Sequence, residues 1–423
     1  MHHFEYRNGE MFAEAVPLKK IAEEVGTPAY VYSLATLRRH YRVFDRAFTK
    51  VPHIVCYSVK ANSNIALLKT FAKEGSGFDI VSGGELFRAL KAGGDPKKIV
   101  FSGVGKKREE IEYALSAGIL MFNVESEDEM TALNEIAGAV GKRAPISLRI
   151  NPDVDPQTHP YISTGMKKAK FGVEIKRSVE GYRKAASMPN LEVVGVDCHI
   201  GSQLTSVSPF VDALARVREY LDRVLVGSLG KEGASIRYLD LGGGLGITYN
   251  DESPPSPEEY AKAIIQGLEG LKVTLILEPG RVIVGNAGIL LTEVQFVKDT
   301  DEKNFVIVDG GMNDLIRPTL YGSYQAIQPV AQGNGEPIIA DIVGPICETG
   351  DFFAKDREIP RPKRGDLLAV MSAGAYGFTM ASNYNSHPKP PEVLVDGDKY
   401  YVIRTRETLE DLINGEVIPQ ILQ

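Results

Sequence analysis

The chain has 423 residues, 43% hydrophobic and 24% charged, with 48 basic against 55 acidic side chains and a formal net charge of −7. That is an ordinary soluble composition, long enough for two or three domains, and it excludes a peptide or a lone binding module. With a pI near 5.7 and no dense Lys/Arg block, the chain has no electrostatic footprint for nucleic acid or anionic lipid, and small-molecule chemistry becomes the default.

Residues 1–20 lack a basic start followed by an apolar stretch, and no run approaches the roughly 18 to 20 apolar residues of a membrane span, so the expected location is the cytoplasm. From His53 onward short β-branched runs alternate with segments of helical period. Eight candidate strands begin with HIVCYSVKA at His53, GFDIVS at Gly77, KIVFSG at Lys98, LMFNVE at Leu120 and PISLRINP at Pro145, starts that lie 21 to 25 residues apart. VVGVDCHIG at Val193, IRYLDLGGG at Ile236 and TLILEPGR at Thr274 complete the set. Eight strand–helix units are the number that closes a (β/α)8 barrel, and an open doubly wound sheet would also accommodate them; the barrel is the favoured reading.

In a barrel the chemistry lies at the carboxyl ends of the strands. These positions are polar here: Lys60, Asp79 and Ser82, Arg149 and Asn151, His199 and Ser202, Gly242 to Gly244, Glu278 and Arg281. A lysine ending an apolar strand can expose a desolvated nucleophilic amine that adds to carbonyl compounds; it can equally snorkel to solvent. The glycine run GGGLG allows close backbone approach to a phosphate, or a tight strand-to-helix turn, and it lacks the spacing of a nucleotide-binding loop. His199 reads as a core imidazole or a site residue, and Glu278 with Arg281 as an ion pair or as partners of a ring nitrogen and a carboxylate.

After Arg281 the texture changes to strand-like runs separated by turns, with no helix expected before ETLEDLINGE near the end. The expected organisation is a barrel over residues 34–281 and a mostly antiparallel β domain formed by 282–423 with residues 1–33, whose PAYVYS is a further strand candidate. Cys56, Cys198 and Cys347 make no disulfide framework and no metal-ligand spacing, so reduced thiols and no metal are expected. Cys347 of GPICETGD reads by itself as a small hydrophobe more readily than as a reactive group.

Taken together and in order, GTPAYVYS, YSVKAN, FDIVSGGEL, THPYISTGMKKAKFG, HIGSQLT, LDLGGGLGI, LEPGR, CETGD and SAGAYGF resemble the pyridoxal-phosphate-dependent decarboxylases of the alanine-racemase fold type, and among them the diaminopimelate decarboxylases. The resemblance runs through nearly the whole chain. It implies that Lys60 carries pyridoxal 5′-phosphate, that His199 stacks on its ring and that Glu278 holds the pyridine nitrogen. Ser202, Gly243, Gly244 and the backbone at Gly280 and Arg281 would cradle the phosphate, with Tyr376 reaching cofactor and substrate. Arg281, Arg317 and Tyr321 would bind the distant carboxylate of meso-diaminopimelate. Cys347 and Glu348 match a pair that the family contributes from a neighbouring subunit, Cys347 as proton donor and Glu348 toward the distal ammonium, which implies a homodimer with shared sites. The implied reaction is decarboxylation to L-lysine and CO2, the last step of lysine biosynthesis. A racemase, an ornithine or arginine decarboxylase, or a silent cofactor-binding protein are the rival readings. Departures from the family pattern include Thr349 in CETGD, Thr319, Ser323 and Gln325 in RPTLYGSYQ, and Ala381, His387 and Lys389 in ASNYNSHPKP.

Overall fold

The computed structural model describes residues 2–154, 170–227, 236–333 and 335–423; the stretch THPYISTGMKKA of the family resemblance lies outside them. Two compact units emerge: Arg38–Ile283, and Met1–Leu37 together with Val284–Gln423.

In the first unit the eight strand candidates form β1 (His53–Ser58), β2 (Gly77–Ile80), β3 (Ile99–Phe101), β4 (Met121–Val124), β5 (Ala144–Asn151), β6 (Leu191–Asp197), β7 (Tyr238–Asp240) and β8 (Thr274–Leu277). Each pairs in parallel with the next, and β8 pairs in parallel with β1, Leu277 opposite Val55. That last pairing closes the sheet and removes the open-sheet alternative. Among the described residues a helix follows each of the first seven strands. Three of these helices begin at a serine, Ser82, Ser126 and Ser256, whose hydroxyl accepts the backbone N–H of the glutamate three residues on. Such a cap contributes about 1 kcal/mol and fixes where the chain leaves the strand end.

The barrel interior is layered by the two-residue period of its strands. Cys56, Val100, Met121, Val194 and Ile276 pack into one apolar cluster. Two residues further along four of these strands, on the same face, stand Ser58, Ser102, Asn123 and Glu278, all buried. A greasy layer thus supports a polar one at the carboxyl end, and the polar one is where the site must be sought.

The second unit is a mixed, mostly antiparallel nine-stranded sheet with a small three-stranded one. PAYVYS does join it: Ala29–Ser33 runs antiparallel to Gly288–Asp299 and parallel to Glu392–Asp396. Val31, Ile289, Leu291, Ala369, Val393 and Val395 form its core with Leu18, Ile21, Phe4 and Met11, each large side chain stabilising the fold by roughly 1.5–3 kcal/mol. Short helices differ from expectation: one at Arg281–Val284, at the junction of the two units, and one at Arg317–Tyr321 in a stretch read as strands and turns. Pro318 in the first turn of the Arg317–Tyr321 helix and Gly322 in the left-handed conformation after its end start and stop it, and five residues are too few to show a helical period.

Asp314, just before that helix, is buried; burial pushes its carboxyl up to about 7, although Gly311 N–H donates to it. A carboxyl whose folded pKa exceeds its unfolded one stabilises the fold fully below the unfolded value, about 4, and that contribution is lost as pH rises through 7. Stability should therefore fall between pH 5 and pH 8. Asp314→Asn keeps an acceptor for Gly311 but cannot ionise, so its melting temperature should fall less over the same interval. An unchanged slope in the variant would assign the effect to other buried acids.

Candidate active site

Lys60 lies one turn beyond the end of β1, in the 3-10 turn Val59–Ala61, rather than on the strand itself. Its Nζ reaches Asp79 Oδ2 of β2 at 2.5 Å, and Ser58 Oγ donates to the same oxygen at 2.8 Å and to the Glu278 carbonyl at 2.9 Å. Asp79 is fully buried whereas the Lys60 side chain keeps 34% of its exposure. The amine is therefore anchored at its base by a desolvated carboxylate and open at its tip. Asp79 Oδ1 is buried and has no hydrogen-bond partner among the described residues.

Glu278 follows β8 and is 4% exposed. Burial pushes its carboxyl well up, with the nearby Asp240 and Asp79 adding to the effect. Asp240 of β7 accepts from Gly242 N–H at 2.9 Å and from Asn123 Nδ2 at 3.2 Å, and the Glu278 carboxyl is hydrogen-bonded to it. Two buried carboxyls in contact cannot both ionise. The shorter amide and backbone bonds go to Asp240, whereas Glu278 receives only Asn123 Nδ2 and Ser102 Oγ at 3.5 Å, so burial raises Glu278 the more. Asn123 is itself fixed by Ser147 Oγ, which donates to its Oδ1 at 2.6 Å. This layer of Asn123, Ser147 and Asp240 was not singled out in the sequence; its signal was present, since a polar residue inside an otherwise apolar buried strand must be hydrogen-bonded to a partner.

His199, after β6, has its pKa lowered well below the usual value by burial and by the cations of Arg149 and Lys60. Its Nδ1 lies 3.1 Å from Gly243 N, whose N–H donates to it, so the neutral ring carries its proton on Nε2. Arg149 is buried and bidentate by function: Nη1 donates to Glu125 Oε1 at 2.9 Å, Nη2 to the His199 carbonyl at 3.4 Å, and its plane lies over Phe171. It ties β5 to the loop that carries the imidazole.

The glycine run after β7 is a matter of close approach. A Cβ on Gly243 would fall 2.2 Å from the Glu278 carbonyl oxygen, and Gly244, at φ +119°, would place one 2.7 Å from the Gly201 oxygen. No other residue fits. Beside it Arg281 Nη2 donates to Ser202 Oγ at 3.0 Å and Nη1 to the Tyr249 hydroxyl at 2.7 Å. Tyr249 is a contact the sequence did not point to. Gly280 lies against the Lys60 turn, next to Ala61 and Ser58.

The β unit carries the remaining residues. Arg317 is buried, and its guanidinium lies 5.7 Å from the centre of the Tyr321 ring. Thr319 of the same helix donates to the Gly350 carbonyl at 2.5 Å, so this departure from the family pattern ties the helix to the CETGD loop. Asp351 orders that loop by accepting from Met312 and Ile346 N–H, both at 2.6 Å. Cys347 is exposed, whereas Cys56 and Cys198 are buried, and all three are free. Tyr376 stands at φ +56°, a conformation that costs a non-glycine residue about 1–3 kcal/mol and concentrates at functional positions.

An amine, a neutral imidazole, a carboxyl raised by burial and a hydroxyl–guanidinium pair at one barrel mouth are the donor set that a pyridine aldehyde bearing a phosphate requires. The residues present fit pyridoxal 5′-phosphate. Comparison with known proteins agrees: residues 34–285 match the family model of the pyridoxal-dependent decarboxylases, pyridoxal binding domain. The chain is 56% identical to diaminopimelate decarboxylase of Vibrio cholerae, covering 97% of this chain and 98% of that protein, and 54% identical to that of Pseudomonas aeruginosa over 99% and 100%. Among solved structures it is similar to diaminopimelate decarboxylase of M. jannaschii in complex with L-lysine, with TM-score 0.94 and 40% identity over the whole of both chains. The enzyme of Helicobacter pylori, also with L-lysine, matches at TM-score 0.89 and 43% identity over 94% of this chain and 98% of that one.

Proposed function

The chain belongs to the diaminopimelate decarboxylase family, and from that premise we propose how its residues divide the work. It converts meso-2,6-diaminopimelate to L-lysine and CO2 with pyridoxal phosphate, the last step of lysine biosynthesis. The observation that carries the assignment of roles is the convergence of Lys60, Asp79, His199 and Glu278 on one barrel mouth.

Bound there, the cofactor supplies a sink for the electron pair left behind when CO2 departs. Lys60 would hold the cofactor through its amine, with Asp79 beside it as the partner of the ammonium whenever that amine is free. Glu278, whose carboxyl burial pushes well up, would hydrogen-bond the ring nitrogen. His199, whose pKa is held down by burial and by the Arg149 and Lys60 cations, would offer the ring an uncharged face. Ser202, Gly243, Gly244 and the backbone at Gly280 and Arg281 hold the phosphate, and Tyr376 bridges cofactor and substrate. Cys347 delivers the proton that replaces the carboxylate on the α-carbon.

Selectivity comes from the far end of the substrate, which carries both an ammonium and a carboxylate. Glu348 accepts from the ammonium, and Arg281, Arg317 and Tyr321 bind the carboxylate. Ornithine and arginine lack that carboxylate. Cys347 and Glu348 serve the site of a second copy, so the working unit is a homodimer, and its small soluble reactants suit the cytoplasm.

The shared site has a direct test. Lys60→Ala and Cys347→Ala proteins, each inactive alone, are mixed and allowed to exchange subunits. Half the dimers become hybrids with one intact site of two, so about a quarter of the wild-type activity should return, as two-fold symmetry requires. No recovery, with exchange verified, would place Cys347 in the same subunit's site.

A further inference from the structure

The segment ASNYNSHPKP, Ala381–Pro390, is not used by any role assigned above. It is held at both ends. Ser382 N–H donates to the Asn313 carbonyl at 2.8 Å, and Glu407 accepts from Asn383 Nδ2 at 2.6 Å and from Lys389 N–H at 2.9 Å, with Lys389 Nζ at 3.3 Å from its other oxygen. Between these anchors Asn385 and Ser386 stand at φ +53° and +58°. Two successive non-glycine residues in the left-handed region make a strained turn, which persists only where surrounding contacts fix it.

What the turn presents is specific. Asn385 Oδ1 accepts from the backbone N–H of Cys347 at 2.8 Å. The neighbouring Tyr384 hydroxyl faces the Glu348 carboxylate, whose hydrogen bonding and charge raise the pKa of the phenol. Adjacent residues of one turn thus engage adjacent residues of the CETGD loop, one through its backbone and one through its carboxylate. Packing does not account for Tyr384, which is 44% exposed. A phenol donating to one carboxylate oxygen fixes the plane of the group and leaves the remaining lone pairs for a cation.

We propose that Tyr384 and Asn385 are positioning residues: Tyr384 orients Glu348 toward the distal ammonium of the substrate, and Asn385 sets the backbone course that aims the Cys347 thiol. The proposal rests on the reading that Glu348 and Cys347 act on substrate.

The test uses the full-length, cofactor-loaded enzyme with meso-diaminopimelate. Tyr384→Phe removes only the hydroxyl and should raise KM by roughly 10- to 100-fold, the range for losing a hydrogen bond to a charged group, with kcat nearly unchanged. Cofactor absorbance and melting temperature should not move. Glu348→Gln should raise KM as well, and adding Tyr384→Phe to it should change nothing further, because the hydroxyl acts through that carboxylate. Asn385→Gly keeps the left-handed turn but deletes the acceptor, and should lower kcat with KM unchanged; Asn385→Asp restores the acceptor and should recover it. A wild-type KM in Tyr384→Phe while Glu348→Gln is impaired, or additive effects in the double variant, would overturn the role of Tyr384 and leave the Glu348 reading standing. Wild-type turnover in Asn385→Gly would overturn the role of Asn385. A Glu348→Gln protein with normal KM would overturn the reading of Glu348 and the Tyr384 proposal with it.

Discussion

Lys60→Ala is expected to abolish covalent attachment of the cofactor and to lower turnover on the order of 10⁴-fold or more, as loss of a covalent catalyst does. The visible absorbance of the bound cofactor should go, and borohydride treatment, which should fix a pyridoxyl label on Lys60 in the native enzyme, should label nothing. The fold should survive. Asp79 loses its cationic partner but keeps the Ser58 hydroxyl at 2.8 Å, and the Lys60 side chain is a third exposed, so the penalty of an abandoned buried charge is softened by solvent. Lys60→Arg should be as inactive as the alanine variant, because a guanidinium stays protonated and cannot serve as a nucleophile. An unchanged near-ultraviolet dichroism spectrum with full loss of turnover would separate this chemistry from collapse of the barrel. Retained borohydride labelling at another lysine would move the attachment site.

Cys347→Ala is the complementary case. The cysteine is exposed, and it contributes to the order of its loop through its backbone N–H, which alanine retains. Stability should change by less than about 0.5 kcal/mol. Cofactor absorbance should be preserved while turnover falls by roughly 10²- to 10⁴-fold, the usual contribution of one general acid. Cys347→Ser, whose hydroxyl is a far weaker acid, should not restore the rate. A Cys347→Ala enzyme that decarboxylates at the normal rate would remove Cys347 from the mechanism.

The strands of the barrel were legible because parallel strands buried on both faces read as continuous apolar runs, and their regular spacing left room for one helix each. Which residues end up at the mouth followed from the same reading, as Lys60, His199 and Glu278 illustrate. Closure was not legible, since pairing of β8 with β1 is a long-range contact that no local pattern encodes. The helix at Arg317–Tyr321 was hidden by its shortness. The polar layer formed by Asn123, Ser147 and Asp240 was hidden for a different reason: each residue is a single polar interruption in an apolar run, and only the closed barrel brings the three within hydrogen-bonding distance of a neighbour in the layer. Tyr384 and Asn385 lay in a stretch set apart only by its departures from the family pattern. Their meaning depends on contacts 36 and 38 residues away in sequence, to Glu348 and Cys347.

The central claim is that this barrel mouth removes the α-carboxylate from a substrate that carries an amino acid group at each end. Its most direct test is product analysis: the cofactor-loaded protein is incubated separately with meso-diaminopimelate, ornithine and arginine, and CO2 and the amine or amino acid formed are measured. The account predicts CO2 and L-lysine in equal amounts from meso-diaminopimelate and no CO2 from the other two. Release of CO2 from ornithine or arginine alone would contradict it.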